Sequence, residues 1–237
     1  MKVSMLEDIS RYSSNTQKIL KDCKAFVDGG HFIYSSGRHG DFYINKDALY
    51  MHPKKLDDVS YMLTQLAFSS FNIPFDVVLA PTMGGILLGQ AIAYNASIET
   101  NSNVFFAYSE RSQKNTNHRV IRRRYDRIIK GNNVLLVDDI VTTGMTMVGM
   151  AKAVLRMGGN VIGGISICNR GNIRNIKFYP DNTSEAFDLH IVPLLELDLR
   201  TFSSEDCPFC KSGRPIDPRL GEGTGYFLDD DIGRVSK

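Results

Sequence analysis

The strongest constraint on the fold is a repeated alternation between short apolar runs and longer helical patterns. The runs are rich in β-branched and aromatic residues, and they read DVVLA (76–80), VFFAY (104–108), NVLLV (133–137) and VIGGISIC (161–168). Runs of this length and composition are typical of buried strands. Strands that alternate with helices form a parallel sheet whose faces the helices cover. We therefore predict an α/β fold with a doubly wound, mostly parallel sheet.

Two helical patterns precede the first of these strands. One runs from Asn15 to Val27, and the glycines at 29 and 30 are expected to end it. Residues 32–50 include several aromatic residues and glycines, a composition that favours a hairpin over a helix. The second helix is expected to start at Pro53, a favoured first-turn residue. Its buried face is predicted to consist of Leu56, Val59, Leu63 and Leu66.

The charge balance and the cysteine count narrow the class of protein. The chain has 28 basic and 26 acidic residues and a net charge of +2, so no overall field attracts nucleic acid or a membrane. Four cysteines are few for 237 residues. No secretory leader is recognisable, and no apolar run approaches the roughly 20 residues of a membrane helix. We expect a soluble, cytoplasmic protein that binds neither nucleic acid nor a membrane.

The segment VLLVDDIVTTGMT (134–146) joins a predicted strand to a predicted helix. Asp138 and Asp139 are spaced to accept hydrogen bonds from vicinal ribose hydroxyls, directly or through Mg²⁺, which prefers carboxylate and substrate oxygens. The following turn brings N–H groups and hydroxyls to a helix N-terminus, which stabilises a phosphate. A helix cap without a ligand is the alternative explanation. The residues of this turn are Val141, Thr142, Thr143, Gly144, Met145 and Thr146.

As an ordered string, this segment resembles the binding motif of type I phosphoribosyltransferases: four apolar residues, two acids and a Thr-Thr-Gly turn. The resemblance implies the type I phosphoribosyltransferase fold with a small hood over the site. It also implies phosphoribosyl pyrophosphate and Mg²⁺ as ligands, and a homodimer. Neither GxxxxGK[ST] nor a GxGxxG after a strand occurs in the sequence, which argues against a P-loop kinase and a dehydrogenase.

A second loop, APTMGG (80–85), also lies between a predicted strand and a predicted helix. Its N–H groups can form a concavity for a diphosphate, although Gly-Gly before a helix is often only a tight turn. The family resemblance implies that pyrophosphate is held here by Thr82, Met83, Gly84 and Gly85.

Residues 111–130 carry eight basic residues and a single acid, Asp126. A solvated hairpin is the ordinary explanation of a charge run. The resemblance implies instead a mobile basic loop, which often completes the neighbouring subunit's site in a dimer. Its closure would exclude water and neutralise the leaving pyrophosphate. The spacing departs from the common Lys-rich form of this loop, so we rank three candidates for this contact: Arg111, Arg122 and Arg123.

The segment FIYSSGRHGDFYIN (32–45) resembles the hood over the base in orotate phosphoribosyltransferases. A hairpin with core aromatics is the alternative. Ser35 stands where the family often has a lysine before Ser-Gly-Arg. Either Arg38 or the basic loop takes the role of that lysine, or the enzyme prefers a relative of orotate. Arg170 resembles the arginine that grips the orotate carboxylate through two parallel hydrogen bonds; a surface loop arginine is the alternative. The expected base-binding residues in the hood are Ser35, Arg38, Phe42 and Tyr43.

The tail segment CPFCKSGRPI (207–216) resembles the CPxC ending of a subgroup of orotate phosphoribosyltransferases. A lone CxxC supplies two ligands where structural zinc needs four. A metal site, an exposed thiol pair and a Cys₄ site bridged across a dimer therefore all stay open. We predict one domain over residues 1–237, with an N-terminal helix and base-binding hood (1–50), an α/β core (71–200) and the tail (201–237).

These features together predict an orotate phosphoribosyltransferase, which forms orotidine 5'-phosphate and pyrophosphate in the synthesis of uridine monophosphate. Two alternatives stay open: a phosphoribosyltransferase for another base, and a non-catalytic regulator that senses phosphoribosyl pyrophosphate. The segment before Phe26 is too short for the winged helix that such a regulator needs.

Overall fold

A computed structural model describes residues 2–34, 37–113, 118–181, 183–197 and 199–221. The chain divides into two compact units. The first comprises Met1–Ile19 and His52–Leu197, and the second comprises Leu20–Met51 and Asp198–Lys237. Among the described residues, no helix combines the length and the apolar character that crossing a membrane requires.

The first helix, α1, spans Lys2–Asp22. It ends where Lys24 adopts a left-handed conformation with φ 55° and the Ala25 N–H donates to the carbonyl oxygen of Leu20 at 2.8 Å. The prediction that this helix reaches Val27 was wrong, because the left-handed residue that ends it is a lysine rather than the expected glycine. Gly29 and Gly30 lie inside the strand that follows.

Strands β1 (Phe26–Ile33) and β2 (His39–Ile44) form an antiparallel hairpin in the second unit. Phe26 lies opposite Ile44 and Ile33 lies opposite His39, with an irregularity in register between Asp28 and Phe32. The predicted hairpin is therefore present, but it starts six residues before position 32 and gives way to a short helix, α2 (Lys46–Tyr50).

Helix α3 (Pro53–Ser70) begins at the predicted proline and buries all four predicted residues, Leu56, Val59, Leu63 and Leu66. The expected strand, helix and strand follow as β3 (Val77–Pro81), α4 (Gly85–Thr100) and β4 (Phe105–Arg111). The basic segment contains two short elements that were not predicted, β5 (Arg119–Ile121) and α5 (Asp126–Ile129).

The binding motif lies between β6 (Asn133–Val141) and α6 (Met145–Arg156). β6 is longer than predicted, since it continues through both aspartates. The remaining elements are β7 (Asn160–Asn169), β8 (Asn175–Phe178), β9 (Phe187–Glu196) and α7 (Pro208–Lys211).

Seven strands form one sheet in the order β5-β4-β3-β6-β7-β9-β8. The five central strands are parallel, and the two edge strands pair antiparallel to their neighbours. Helix α6 contacts β3, β5, β6 and β7, and its buried side chains share a core with Val77 and Leu79. α4 packs on the opposite face, because Gly89 lies against Ala80 and side chains alternate along a strand. Helices thus cover both faces of a mostly parallel sheet, as predicted.

Candidate active site

Two adjacent carboxylates lie near the carboxyl end of the central strand β6. Asp138 and Asp139 are both buried, with 8% and 6% of their surface exposed. Oδ1 of Asp138 accepts a hydrogen bond from the Asp139 N–H at 3.0 Å, and Oδ1 of Asp139 accepts one from the Ile140 N–H at 2.7 Å. These local hydrogen bonds hold each carboxylate beside its own backbone, at the carboxyl ends of the strands, where α/β proteins bind ligands.

The turn after these carboxylates leads directly into α6. Gly144 adopts a left-handed conformation with φ 69° and precedes the first helical residue, Met145. The left-handed conformation favours a glycine here, and a Cβ at this position would also displace the end of the Ile176 side chain. The Thr142–Met145 segment is thereby held at a helix N-terminus, which favours a bound anion.

The loop between β3 and α4 is tied to the neighbouring strand. The Thr82 N–H donates to the carbonyl oxygen of Ser109 at 2.8 Å, and the Thr82–Met83 peptide is cis. Gly85 opens α4 so close to the strand that a Cβ there would lie 2.6 Å from Cδ of Pro81. The Met83 side chain is exposed. The predicted pyrophosphate loop is therefore a tight strand-to-helix turn at the same edge of the sheet as the aspartates.

A third turn, residues 169–173, is docked onto the turn after β6. The Arg170 N–H donates to the carbonyl oxygen of Val141 at 2.8 Å, and Gly171 packs against the backbone of Thr142. The buried amide of Asn169 closes the turn: its Oδ1 accepts from the N–H groups of Gly171 and Ile173 at 3.2 and 3.3 Å. Sequence analysis missed this role of Asn169, which an amide directly after a strand could have signalled.

The thiol of Cys168 lies buried beneath this region. Burial raises its pKa to about 12, the guanidinium of Arg170 opposes that rise, and the carboxylate of Asp139 adds to it. Arg170 and Asp139 therefore both act electrostatically on one buried group. The structure thus brings the proposed carboxylate-binding arginine to the same end of the sheet as the aspartate pair.

A buried arginine that the sequence analysis did not select lies in the basic segment. Arg119 lies opposite Arg111 in the β4–β5 pair and is 6% exposed. Burial lowers the pKa of its guanidinium, the carboxylate of Asp138 raises it, and Arg111 lowers it. Its Nη1 is buried and makes no hydrogen bond within the described part of the chain. The short run RVI (119–121) was a usable signal of a strand here.

The three arginines predicted from the basic segment occupy different surroundings. Arg111 ends β4 and is exposed. Arg123 donates to Glu110 at 3.0 Å and lies 5.2 Å from the ring centroid of Tyr108, while Nε of Arg122 lies 4.0 Å from the same glutamate. Glu110 thus pairs with two of the candidates, Arg122 and Arg123, whose side chains are exposed.

The candidate base-binding residues belong to the second unit. The ring of Phe42 lies 5.4 Å from that of Phe26, whereas the ring of Tyr43 lies 5.5 Å from that of Phe32. Consecutive strand residues point to opposite faces, so a base on one face of the hairpin can contact only one of the Phe42 and Tyr43 rings.

The two polar candidates of the hood are placed differently. Arg38 donates to the hydroxyl and to the carbonyl oxygen of Thr201, both at 2.7 Å. Ser35 lies outside the described residues.

Comparisons with known proteins show the family and the fold. The family model of the phosphoribosyl transferase domain matches residues 45–185. The chain is 31% identical over 202 residues to the orotate phosphoribosyltransferase of Campylobacter jejuni subsp. jejuni strain 81-176, covering 84% of this chain and 94% of the relative.

Two solved structures share the fold. The orotate phosphoribosyltransferase of Aeropyrum pernix has a TM-score of 0.55 at 19% identity, and the match covers 76% of this chain and 92% of that one. The adenine phosphoribosyltransferase of Saccharomyces cerevisiae also has a TM-score of 0.55, at 17% identity, with 77% and 99% covered.

Proposed function

Because the chain belongs to the phosphoribosyltransferase family, we propose that it is an orotate phosphoribosyltransferase that joins orotate to the ribose of phosphoribosyl pyrophosphate. The observation that carries this proposal is the pair of buried carboxylates immediately before a glycine-bearing helix N-terminus. The carboxylates could bind the ribose hydroxyls of a sugar phosphate, and the helix N-terminus could bind its phosphate. The relatives named orotate phosphoribosyltransferase, at about 30% identity over most of the chain, support orotate as the base.

In the proposed reaction the bond between ribose C1 and the pyrophosphate oxygen breaks, and a bond from C1 to the orotate nitrogen forms. Positive charge develops on the ribose as pyrophosphate leaves with the bonding electrons. Asp138 and Asp139 would orient the ribose hydroxyls and stabilise that charge, while the turn Val141–Thr146 would bind the 5'-phosphate. The orotate nitrogen gives up its proton as the bond to C1 forms, and that proton goes to solvent or to the departing pyrophosphate, so the step needs no protein nucleophile.

The proposed pyrophosphate contacts come from the loop Thr82–Gly85 and from arginines of the basic segment. Arg119 joins Arg111, Arg122 and Arg123 as a candidate, since its guanidinium is buried and the carboxylate of Asp138 acts on it electrostatically. The donor set of two adjacent carboxylates fits Mg²⁺, which binds carboxylates together with substrate oxygens. Asp138 and Asp139 would hold the ion through water or substrate, and when bound it would neutralise charge on pyrophosphate.

Base selection is assigned to Arg170, whose guanidinium can bind the orotate carboxylate through two hydrogen bonds. We also propose a cytoplasmic location and a homodimer whose basic loop completes the partner's site. The fold likeness to an adenine enzyme at 17% identity does not select a base, so a panel of bases belongs in the test.

The test uses the purified full-length chain with phosphoribosyl pyrophosphate, Mg²⁺ and orotate, uracil or adenine, and it follows pyrophosphate release. Release should depend on orotate and stop in D138N/D139N. The matched control is D57N/D58N, an adjacent exposed aspartate pair on α3 that undergoes the same chemical change. Near-normal turnover by D138N/D139N would refute the role of the motif. Turnover with adenine or uracil but not orotate would refute the assignment of the base.

A further inference from the structure

Four side chains of the second unit converge on one point, and none of them belongs to the proposed active site. They are His31, His39, Cys207 and Cys210, and their Nε2, Nδ1 and two Sγ atoms all lie within 4.8 Å of one another. Two come from the β1–β2 hairpin and two from the tail. The histidines and Cys207 are buried, and Cys210 is exposed. No step of the proposed reaction uses them.

The distances between these atoms match the edges of a tetrahedron around a metal ion. Nε2 of His31 lies 3.0 Å from Nδ1 of His39 and 3.6 Å from each sulfur, and Sγ of Cys210 lies 3.3 Å from Nδ1 of His39. Tetrahedral zinc, with bonds of about 2.0 Å to nitrogen and about 2.3 Å to sulfur, separates two nitrogens by about 3.3 Å and a nitrogen from a sulfur by about 3.6 Å.

The hairpin register explains why the histidines meet. His39 lies opposite Ile33, and His31 lies two residues before Ile33 and hence on the same face of the hairpin. Diagonal neighbours of this kind are within reach of long side chains. Reciprocal backbone hydrogen bonds of 2.8 and 2.9 Å between His39 and Phe202 then hold the tail beside the hairpin.

Neighbouring backbone groups orient the ligand atoms towards a common point. Nδ1 of His31 lies 2.8 Å from the carbonyl oxygen of Arg214. An N–H donated from Nδ1 leaves the Nε2 lone pair directed at the cluster, which is the outer hydrogen bond usual for a metal-bound histidine. Cys207 directly precedes the single turn α7 and Cys210 lies within it, and the Lys211 N–H donates to the carbonyl oxygen of Cys207 at 3.1 Å.

We propose that His31, His39, Cys207 and Cys210 bind a structural Zn²⁺ ion within a single chain. A Cys₂His₂ set with no position left for water is typical of structural zinc, and thiolate with imidazole favours zinc over magnesium or calcium. The histidines are the two ligands that the CxxC segment lacks, so no second subunit is required. The ion would tie the tail to the hairpin in a small unit, where metal ions commonly supplement a limited core.

The first measurements use the wild-type full-length chain. Metal analysis after expression with added zinc should find one zinc ion per chain that survives gel filtration. X-ray absorption at the zinc edge should show two sulfurs at about 2.3 Å and two nitrogens at about 2.0 Å. Absence of bound zinc would overturn the proposal, and so would four sulfurs, which would indicate the Cys₄ site bridged across a dimer.

Variants then test the ligand assignment. C207S/C210S and H31N/H39N should each lose the zinc, and a chelator should lower the Tm of the wild type but not of C207S/C210S. The matched control is Cys23→Ala, a buried cysteine of the same unit outside the cluster, which should keep its zinc. Should the double variants fail to fold, the visible spectrum of Co²⁺-loaded wild type decides: tetrahedral d–d bands with a thiolate charge-transfer band support the site, and an octahedral spectrum overturns it.

Discussion

Substituting Gly171 with alanine should disturb the proposed phosphate turn without changing any group that contacts substrate. Gly171 lies against the backbone of Thr142: an added Cβ would stand 2.9 Å from the Thr142 carbonyl carbon and still closer to its oxygen. Non-bonded carbons normally approach to about 3.5–4.0 Å. The two turns must therefore separate by about 1 Å at this point.

The separation acts on catalysis because the turn cannot yield at its other end. The Arg170 N–H is hydrogen-bonded to the carbonyl oxygen of Val141, and the turn continues directly into α6 after Gly144. A displacement of about 1 Å in a group that positions substrate can cost about 100-fold in rate, equivalent to roughly 2.7 kcal/mol of transition-state stabilisation. We expect Gly171→Ala to lower kcat/KM for phosphoribosyl pyrophosphate by about that factor.

The assay compares steady-state kinetics and Tm in Gly171→Ala and Gly131→Ala. Gly131 has φ 77° with open space around its Cβ position, so its substitution should cost about 1 kcal/mol of stability through backbone conformation while leaving kcat/KM unchanged. Unaltered kcat/KM in a folded Gly171→Ala protein would refute the idea that residues 169–173 support the phosphate turn. Equal kinetic losses in both variants would refute it as well.

Three further outcomes are expected. Arg170→Ala should lower kcat/KM for orotate by roughly 10- to 150-fold, as for a lost hydrogen bond to a charged group, and leave uracil nearly unaffected; equal losses would make Arg170 structural. R122Q/R123Q should lower kcat more than it weakens orotate binding; an unchanged kcat with weaker RNA binding would indicate a nucleic-acid role. With a pKa of about 12, folded Cys168 should resist iodoacetamide at pH 9, and its contribution to stability should decline as pH rises from about 8.5 towards 12; rapid native labelling would contradict this.

The features that the sequence predicted well are those encoded within a few adjacent residues. The start of α3 at Pro53 and the strand, turn and helix around Asp138 follow from local composition and periodicity, because the same residues set both the signal and the structure. The end of α1 was mispredicted because the local stop signal was assigned to the wrong residues. Its termination depends on a left-handed lysine, whereas the nearby glycines serve the irregular part of β1.

Features that depend on which segments meet in space were missed. Arg119 was one of eight bases in its segment, and nothing local distinguishes this buried guanidinium, on which Asp138 acts electrostatically, from the two that pair with Glu110 at the surface. The selection of Arg122 and Arg123 rested on family spacing. Burial depends on the antiparallel pairing of β5 with β4, and short edge strands carry little periodicity from which a pairing can be predicted.

The proposed zinc site shows how a non-local constraint can in turn fix a local structure. A shift of the β1–β2 pairing by one residue would move every side chain of one strand to the other face, including His39. It would also exchange the faces of Phe42 and Tyr43. A metal that requires His31 and His39 together would therefore stabilise only the observed register, in a hairpin whose pairing is already irregular between Asp28 and Phe32. Zinc bound to the tail would in this way also fix the faces of the hairpin on which the Phe42 and Tyr43 rings lie.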